Sequence, residues 1–201
     1  MKLTINTSFQ AHASSPYLLI LADSEQVQNA ADLYQIKNLD SIIEAAQFKA
    51  GLNEILALLD SAPACRSSAL AGIGKAAELK PAQLAKIAQT IIKTSQKKFQ
   101  QISIDISALP QELHYLFALS LTQAAYAFDE YKSKKNEFAL EQVNLIAGQT
   151  ALTEQQLSLI TAIQQGQNFA RDLGNRPGNI CFPEYLAEQA QALAAEFPEL
   201  L

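Results

Sequence analysis

The residues able to do chemistry are few and scattered. There are two histidines, His12 and His114, and neither lies in an H-x-x-x-H or H-E-x-x-H spacing. The two cysteines, Cys65 and Cys181, form no C-x-x-C pair. Metal ligands need donors that converge on one point, and nothing here has that spacing. A serine on a G-x-S-x-G elbow and a G-x-x-x-x-G-K-[ST] phosphate loop are both missing. The carboxylates show no arrangement suited to paired acid and base work. His114 falls within a helical pattern and reads as a packing or surface histidine.

One glycine pattern could cradle a phosphate. Gly72-Ile73-Gly74-Lys75-Ala76-Ala77 follows an apolar run and matches G-x-G-x-x-A. In a dinucleotide fingerprint that turn opens directly into a helix, whose N-terminal amides face the pyrophosphate. Here the helix start, Pro81, comes several residues later. An acidic residue about 20 positions on is also missing, with Asp105 roughly 30 on. A strand-end turn is the simpler account. A site for a nucleotide or ADP-ribose at Gly72–Gly74 is the alternative. Two lysine groups, Lys93-Lys97-Lys98 and Lys132-Lys134-Lys135, follow amphipathic segments. They either solvate helix C-termini, where cations also favour the dipole, or form a phosphate-contacting patch able to touch DNA.

The elements that must carry these residues are clearer. Leu3 to Asn6 alternates and is an edge-strand candidate, and Tyr17 to Leu21 is a continuous apolar run suited to a strand buried on both faces. Glu54 to Leu59 is a strand or a short helix, because its leucines lack β-branching. Ser68 to Ile73, Gln101 to Ser107 and Glu141 to Ala147 complete the strands. Pro81 opens a helix over 81–99, with Leu84, Ile87, Ala88, Ile91 and Ile92 on one face. Pro110 opens another over 110–130, with a stripe of Leu113, Leu116, Phe117, Leu121, Ala124, Ala125 and Phe128. Strand, helix, strand, helix, strand implies parallel pairing with right-handed crossovers.

Past Gly148 the pattern changes. Thr153 with Gln156 predicts a capping box and a helix of about 20 residues, ending at the glycine stop Gly174-Asn175. Pro183 opens a last helix with Leu186, Ala190, Leu193 and Phe197 on one face, and Pro198 ends it. Both helices have apolar faces and no strands of their own. The prediction is therefore an α/β domain over 1–150 and a linker helix plus one further helix over 151–201.

Composition agrees with a folded, soluble chain. Among 201 residues, 15 Lys and Arg against 20 Asp and Glu leave a net charge of −5, which disfavours a dedicated nucleic-acid binder. Sparse cysteines fit a reducing cytoplasm. No apolar stretch is long enough to span a membrane, and the N-terminus has no signal-peptide run.

Three segments carry a resemblance. Ala71-Gly72-Ile73-Gly74-Lys75, then a helix and QISIDIS, resembles the N-terminal domain of the leucyl aminopeptidase (cytosol aminopeptidase) family. ALSLTQAAYAFDEYKS, residues 118–133, is similar to that domain's Tyr-x-Phe-x-x-Tyr-Lys helix, here Tyr126, Phe128, Tyr131 and Lys132. Most specific is NFARDLGNRPGNICFPEYLAEQA, residues 168–190. It looks like the family's ARDL-x-N-x-P-x-N segment through Ala170, Arg171, Asp172, Leu173, Asn175, Pro177 and Asn179, followed by Pro183, Leu186 and Ala187.

The resemblance implies a macro-like three-layer α/β/α domain with a mixed, mostly parallel sheet. It implies a helix leading to a separate catalytic domain that holds two divalent metals, Mn or Zn. It also implies a parent that is a homo-hexamer and cleaves N-terminal residues from peptides in the cytoplasm. The family's metal-site motifs are absent from these residues. No catalytic, cofactor-binding or metal residue is therefore assigned here, and the chain alone is expected to be inactive, with its own catalytic domain as its partner. A monomer or weak dimer is expected. Asn175, Pro177 and Asn179 are expected to shape turns at the domain entry.

Overall fold

The computed structural model describes residues 2–6, 17–24, 27, 34, 36–58, 67–134, 138–147 and 152–197. His12, Cys65, Lys135, Gly148 and Pro198 lie outside them. Six strands form one sheet: β1 (Lys2–Asn6), β2 (Leu18–Asp23), β3 (Ile55–Leu58), β4 (Ser68–Gly74), β5 (Gln101–Asp105) and β6 (Gln142–Ile146). Their order is β1-β6-β5-β2-β4-β3. All neighbours run parallel except β3, which is antiparallel to β4. The sheet is thus mixed and mostly parallel, with the first strand at an edge. The open choice at 54–59 resolves to a strand, in which pairing with Ser68–Ala71 outweighs the weak β-propensity of leucine.

Period-2 alternation distributes the sheet's side chains between two cores. Leu19, Leu21, Ala69, Ala71, Ile102, Ile104, Val143 and Leu145 face α2 (Pro81–Ser95) and α3 (Gln111–Ala124), meeting Leu84, Ile87, Ile91 and Phe117. Leu18, Ile20, Ala22, Leu58 and Leu70 face the other way, toward Tyr34, Ile36, Phe48 and Leu39 of α1 (Leu39–Ala46). Layers on both faces bury β2 completely, as its unbroken apolar run requires. Burying each large apolar side chain contributes roughly 1.5–3 kcal/mol. Polar positions on the second face are satisfied. The Tyr34 hydroxyl donates to Asp105 Oδ2 at 2.5 Å, and the Ser107 amide donates to Oδ1 at 2.8 Å.

Several boundaries differ from expectation. The predicted helix 81–99 stops at Ser95, where the Gln96 carbonyl accepts the Ala139 and Leu140 amides and ties the helix end to the strand entry. The predicted helix 110–130 stops at Ala124, and Pro110 caps it rather than opening it. Its stripe is cut short, since Leu116 is exposed and Phe128 lies beyond the end. α1 carried no expectation. It is entered and left through left-handed non-glycine residues, Asn38 (φ 56°) and Gln47 (φ 51°).

The last two helices are α4 (Glu154–Asn175) and α5 (Pro183–Glu196). The predicted capping box starts α4: the Gln156 amide donates to Thr153 Oγ1 at 3.2 Å, and the Thr153 amide donates to Gln156 Oε1 at 2.9 Å. The helix ends at Asn175, within the predicted Gly174-Asn175 stop, but a left-handed glycine does not make that stop. The helix runs through Gly174 and Asn175, and among the described glycines only Gly74 has a positive φ. Arg176 ends the helix in an extended conformation (φ −72°, ψ 137°), the geometry that a following proline, here Pro177, imposes. No described helix is long and apolar enough to cross a membrane.

Candidate functional site

At the glycine turn, the structure replaces phosphate chemistry with backbone packing. A Cβ on Gly72 would lie 2.2 Å from the Gly51 carbonyl oxygen and 2.5 Å from the Ala50 carbonyl carbon. Glycine is required there for the loop to lie against the strand. The Gly72 amide donates to the Glu54 carbonyl at 2.8 Å, and the Gly74 amide donates to the Ala50 carbonyl at 2.9 Å. The part-buried Ala76 amide is taken by Asp23 Oδ2 at 3.0 Å, so a carboxylate already occupies that donor. A short 3-10 turn, Ala76–Glu78, then separates this turn from α2. The nucleotide alternative finds no support in this geometry.

The other chemical candidates stay apart. His114 is buried in α3 with its Nε2 3.0 Å from the Leu109 carbonyl oxygen, a packing histidine. Cys181 is half-buried and forms no disulfide. Lys93, Lys97 and Lys98 are exposed around the end of α2. Lys132 pairs with Asp129 at 2.5 Å in an irregular segment beyond α3. Among the described residues no group of three or more His, Cys, Asp or Glu could hold a metal ion, so the residues present do not fit the implied metals and no chemical step is routed through them.

The structure does bring two of the singled-out segments together. The chain leaving α3 crosses the C-terminal half of α4, and polar side chains join them. The Tyr126 hydroxyl donates to Asp172 Oδ1 at 2.8 Å and accepts from Asn175 Nδ2 at 2.9 Å. The Arg171 guanidinium lies 5.1 Å from the Tyr126 ring centroid, a cation–π distance, and donates to the Gln123 carbonyl at 3.4 Å. Gln123 Nε2 donates to Gln167 Oε1 at 3.1 Å. Beyond the helix, Arg176 Nε donates to Glu130 Oε2 at 3.0 Å, and the same guanidinium donates to the Tyr185 hydroxyl. Helical spacing explains the set. Gln167, Arg171 and Asn175 lie four apart, on one side of α4.

Local chemistry follows from these contacts. Loss of water around Tyr126 raises its hydroxyl above the ordinary tyrosine value, and the Asp172 hydrogen bond adds to this against the opposing Asn175 and Arg171. The Glu130 hydrogen bond raises Arg176 further into its charged range. Tyr131 is raised by desolvation and by Glu130, and its ring meets Phe128 edge-on at 5.7 Å. These groups hold and orient; none is an unpaired nucleophile or base.

Tyr126, Arg171, Asp172 and Asn175 were singled out by resemblance, and they meet. Asn175 corrects its expected role: it is helical and commits its side chain to Tyr126 rather than capping a turn. Gln123, Glu130, Gln167, Arg176 and Tyr185 were missed. The four-residue spacing of Gln167, Arg171 and Asn175 was the available signal.

Comparison with known proteins decides the family. The family model described as "Cytosol aminopeptidase family, N-terminal domain" matches residues 19–135. The chain belongs to the cytosol aminopeptidase family. The "Probable cytosol aminopeptidase" of Acinetobacter baumannii is 64% identical over 201 residues, all of this chain and 42% of that protein. That of Acinetobacter baylyi is 60% identical over the same span. A cytosol aminopeptidase relative from Pseudomonas fluorescens is 36% identical over 155 residues, 71% of this chain and 31% of its own length.

Solved structures share the fold. A tomato leucine aminopeptidase variant matches with a TM-score of 0.78 at 16% identity, covering 98% of this chain and 43% of that one. The bottromycin maturation enzyme BotP, in complex with Mn, matches with a TM-score of 0.68 at 18% identity, covering 91% and 37%. The chain spans about two fifths of the Acinetobacter relatives and corresponds to their N-terminal part. It carries the family's N-terminal domain, and its 201 residues, less than half of those relatives' length, do not include the family's catalytic domain.

Proposed function

We propose that this chain is the non-catalytic N-terminal domain and linker of a two-metal aminopeptidase, and that the full-length parent removes N-terminal residues from peptides. The observation that carries this is unbroken: 64% identity runs through all 201 residues of proteins more than twice as long that are named cytosol aminopeptidase. The exposed apolar residues of the last two helices support the same assignment. Leu159, Phe169, Phe182, Leu186, Leu193 and Phe197 stand in water here, and α5 has no buried residue. Such a face is expected where a further domain docks.

Within this proposal residues 1–150 form the domain and 151–201 lead to the catalytic part. The layered, mostly parallel sheet is of the macro-like kind. The two metals, Mn or Zn, belong to the parent's other domain, where paired ions would activate water and stabilise the tetrahedral intermediate. The peptide substrate, the homo-hexamer and the cytoplasmic location are likewise proposed for the parent.

The test is hydrolysis of leucine p-nitroanilide with added Mn²⁺ or Zn²⁺, run on the 201-residue chain and on the full-length parent, with metal content measured for both. Turnover by the parent alone is expected. Metal-dependent turnover that copurifies with the short chain overturns the assignment.

A further inference from the structure

α4 is held at its two halves by different physics. In its N-terminal half Ile160 is fully buried in the apolar core. Its C-terminal half buries nothing completely, and what fixes it is the polar set around Tyr126. The associated ion pair is open to water, with Glu130 42% and Arg176 21% exposed at the side chain. Solvated pairs of this kind add little each, so this half sits at the low-stability end of the molecule. Between the two halves lies Gly166. It is exposed, its φ is not positive, and a Cβ built on it would meet nothing within 4 Å. No packing or backbone constraint among the described residues requires glycine there, yet glycine makes a helix interior easier to bend.

We infer that α4 is a two-point lever: pinned at Ile160, latched at Tyr126–Asp172–Asn175, and able to swing at Gly166 when the latch opens. The swing carries Arg176 and α5 with it, so the latch sets the direction in which the chain leaves the α/β body. The inference rests on the contacts of this chain alone and stands whether or not the parent is an aminopeptidase.

Residue-resolved amide hydrogen exchange on the 201-residue chain tests it. Tyr126→Phe removes the hydroxyl that links Asp172 to Asn175 and leaves the ring under Arg171. Exchange at 167–176 should then rise at least about tenfold, because the charge-assisted bond to Asp172 and the bond from Asn175 are both lost. Amides at 155–162 and in β5 and β6 should not change. Unchanged exchange at 167–176 overturns the latch. An equal rise along the whole of α4 overturns the hinge, because the helix would then detach as one piece. If the variant also loosens the sheet, Asp172→Ala, which removes the acceptor, serves as the second probe, with the same expected pattern and the same two overturning results. Adding Gly166→Ala to Tyr126→Phe should bring exchange at 167–176 back down at least severalfold, and no such reversal removes Gly166 as the pivot.

Discussion

The α/β body and the α4–α5 arm are built from similar amphipathic sequence, yet they end in opposite states. In the body, apolar stripes find partners: Leu84, Ile87, Ile91 and Phe117 are all at 2% exposure or below. In the arm, Leu186 at 44% and Leu193 at 38% exposure carry a comparable stripe that stays open to water. Periodicity states that a face is apolar and is silent on what covers it. The difference locates where this chain covers its own apolar faces and where it leaves them open. The polar latch at Tyr126 is the join between those two regimes.

The contrast is broken most forcefully inside the body. Phe117 is fully buried between α3 and the sheet. Phe117→Ala removes its packing and leaves a cavity, and should cost about 3–5 kcal/mol of stability. Urea unfolding of the purified chain reads this as a lower midpoint with an unchanged slope. A loss below about 1 kcal/mol would place Phe117 in a site that collapses freely, and the body would then be no better packed than the arm.

Much of the body was legible in the sequence because its signals are local and redundant. QISIDIS alternates, and β5 forms where expected. Pro81 opens α2, and Thr153 with Gln156 opens α4 through a real capping box. What failed depended on tertiary context. α1 had Asn38 as an N-cap residue type but no glycine at its end, and left-handed Asn38 makes no side-chain cap bond there, so the cap signal was slight. The α3 stripe was read on to Phe128 because Leu121, Ala124, Ala125 and Phe128 keep the helical spacing. Tyr126 in fact leaves the helix to bond residues 46 and 49 positions away. Gly174 looked like a stop, whereas Pro177 fixes the end through Arg176. The latch was visible only as a family motif. No pairwise rule joins Tyr126 to Asp172 before the fold has placed them.

A second, smaller test sharpens the join itself. Desolvation and then Asp172 raise the Tyr126 hydroxyl above its ordinary value of about 10, with Asn175 and Arg171 opposing. The folded state thus favours the neutral phenol. The latch's contribution is complete below pH about 10 and is lost as pH rises through the higher folded value. NMR titration of tyrosine ring carbons should show Tyr126 titrating above the ordinary value in the wild-type chain. In Asp172→Asn it should fall, since the carboxylate's charge is removed and the hydrogen bond it accepts is weakened. A Tyr126 value that Asp172→Asn leaves unmoved would mean that the hydroxyl bonds elsewhere and the join is not made as described.

The smallest expected effect is the one that separates the two regions most cleanly. Leu186 and Leu193 are exposed in this chain, so Leu186→Ser with Leu193→Ser removes far less buried area than a core substitution does. Unfolding of the 201-residue chain should change by no more than about 0.5 kcal/mol, as for other exposed sites. In the full-length parent the same pair should behave like a core substitution, because the face would be covered there. Each leucine then forfeits about 1.5–3 kcal/mol of burial, and a lower melting temperature or loss of assembly would follow. A parent that tolerates the pair as well as the short chain does would show that the α5 face stays wet in the complete protein. The arm's exposure would then be a property of the fold and not the mark of an absent partner.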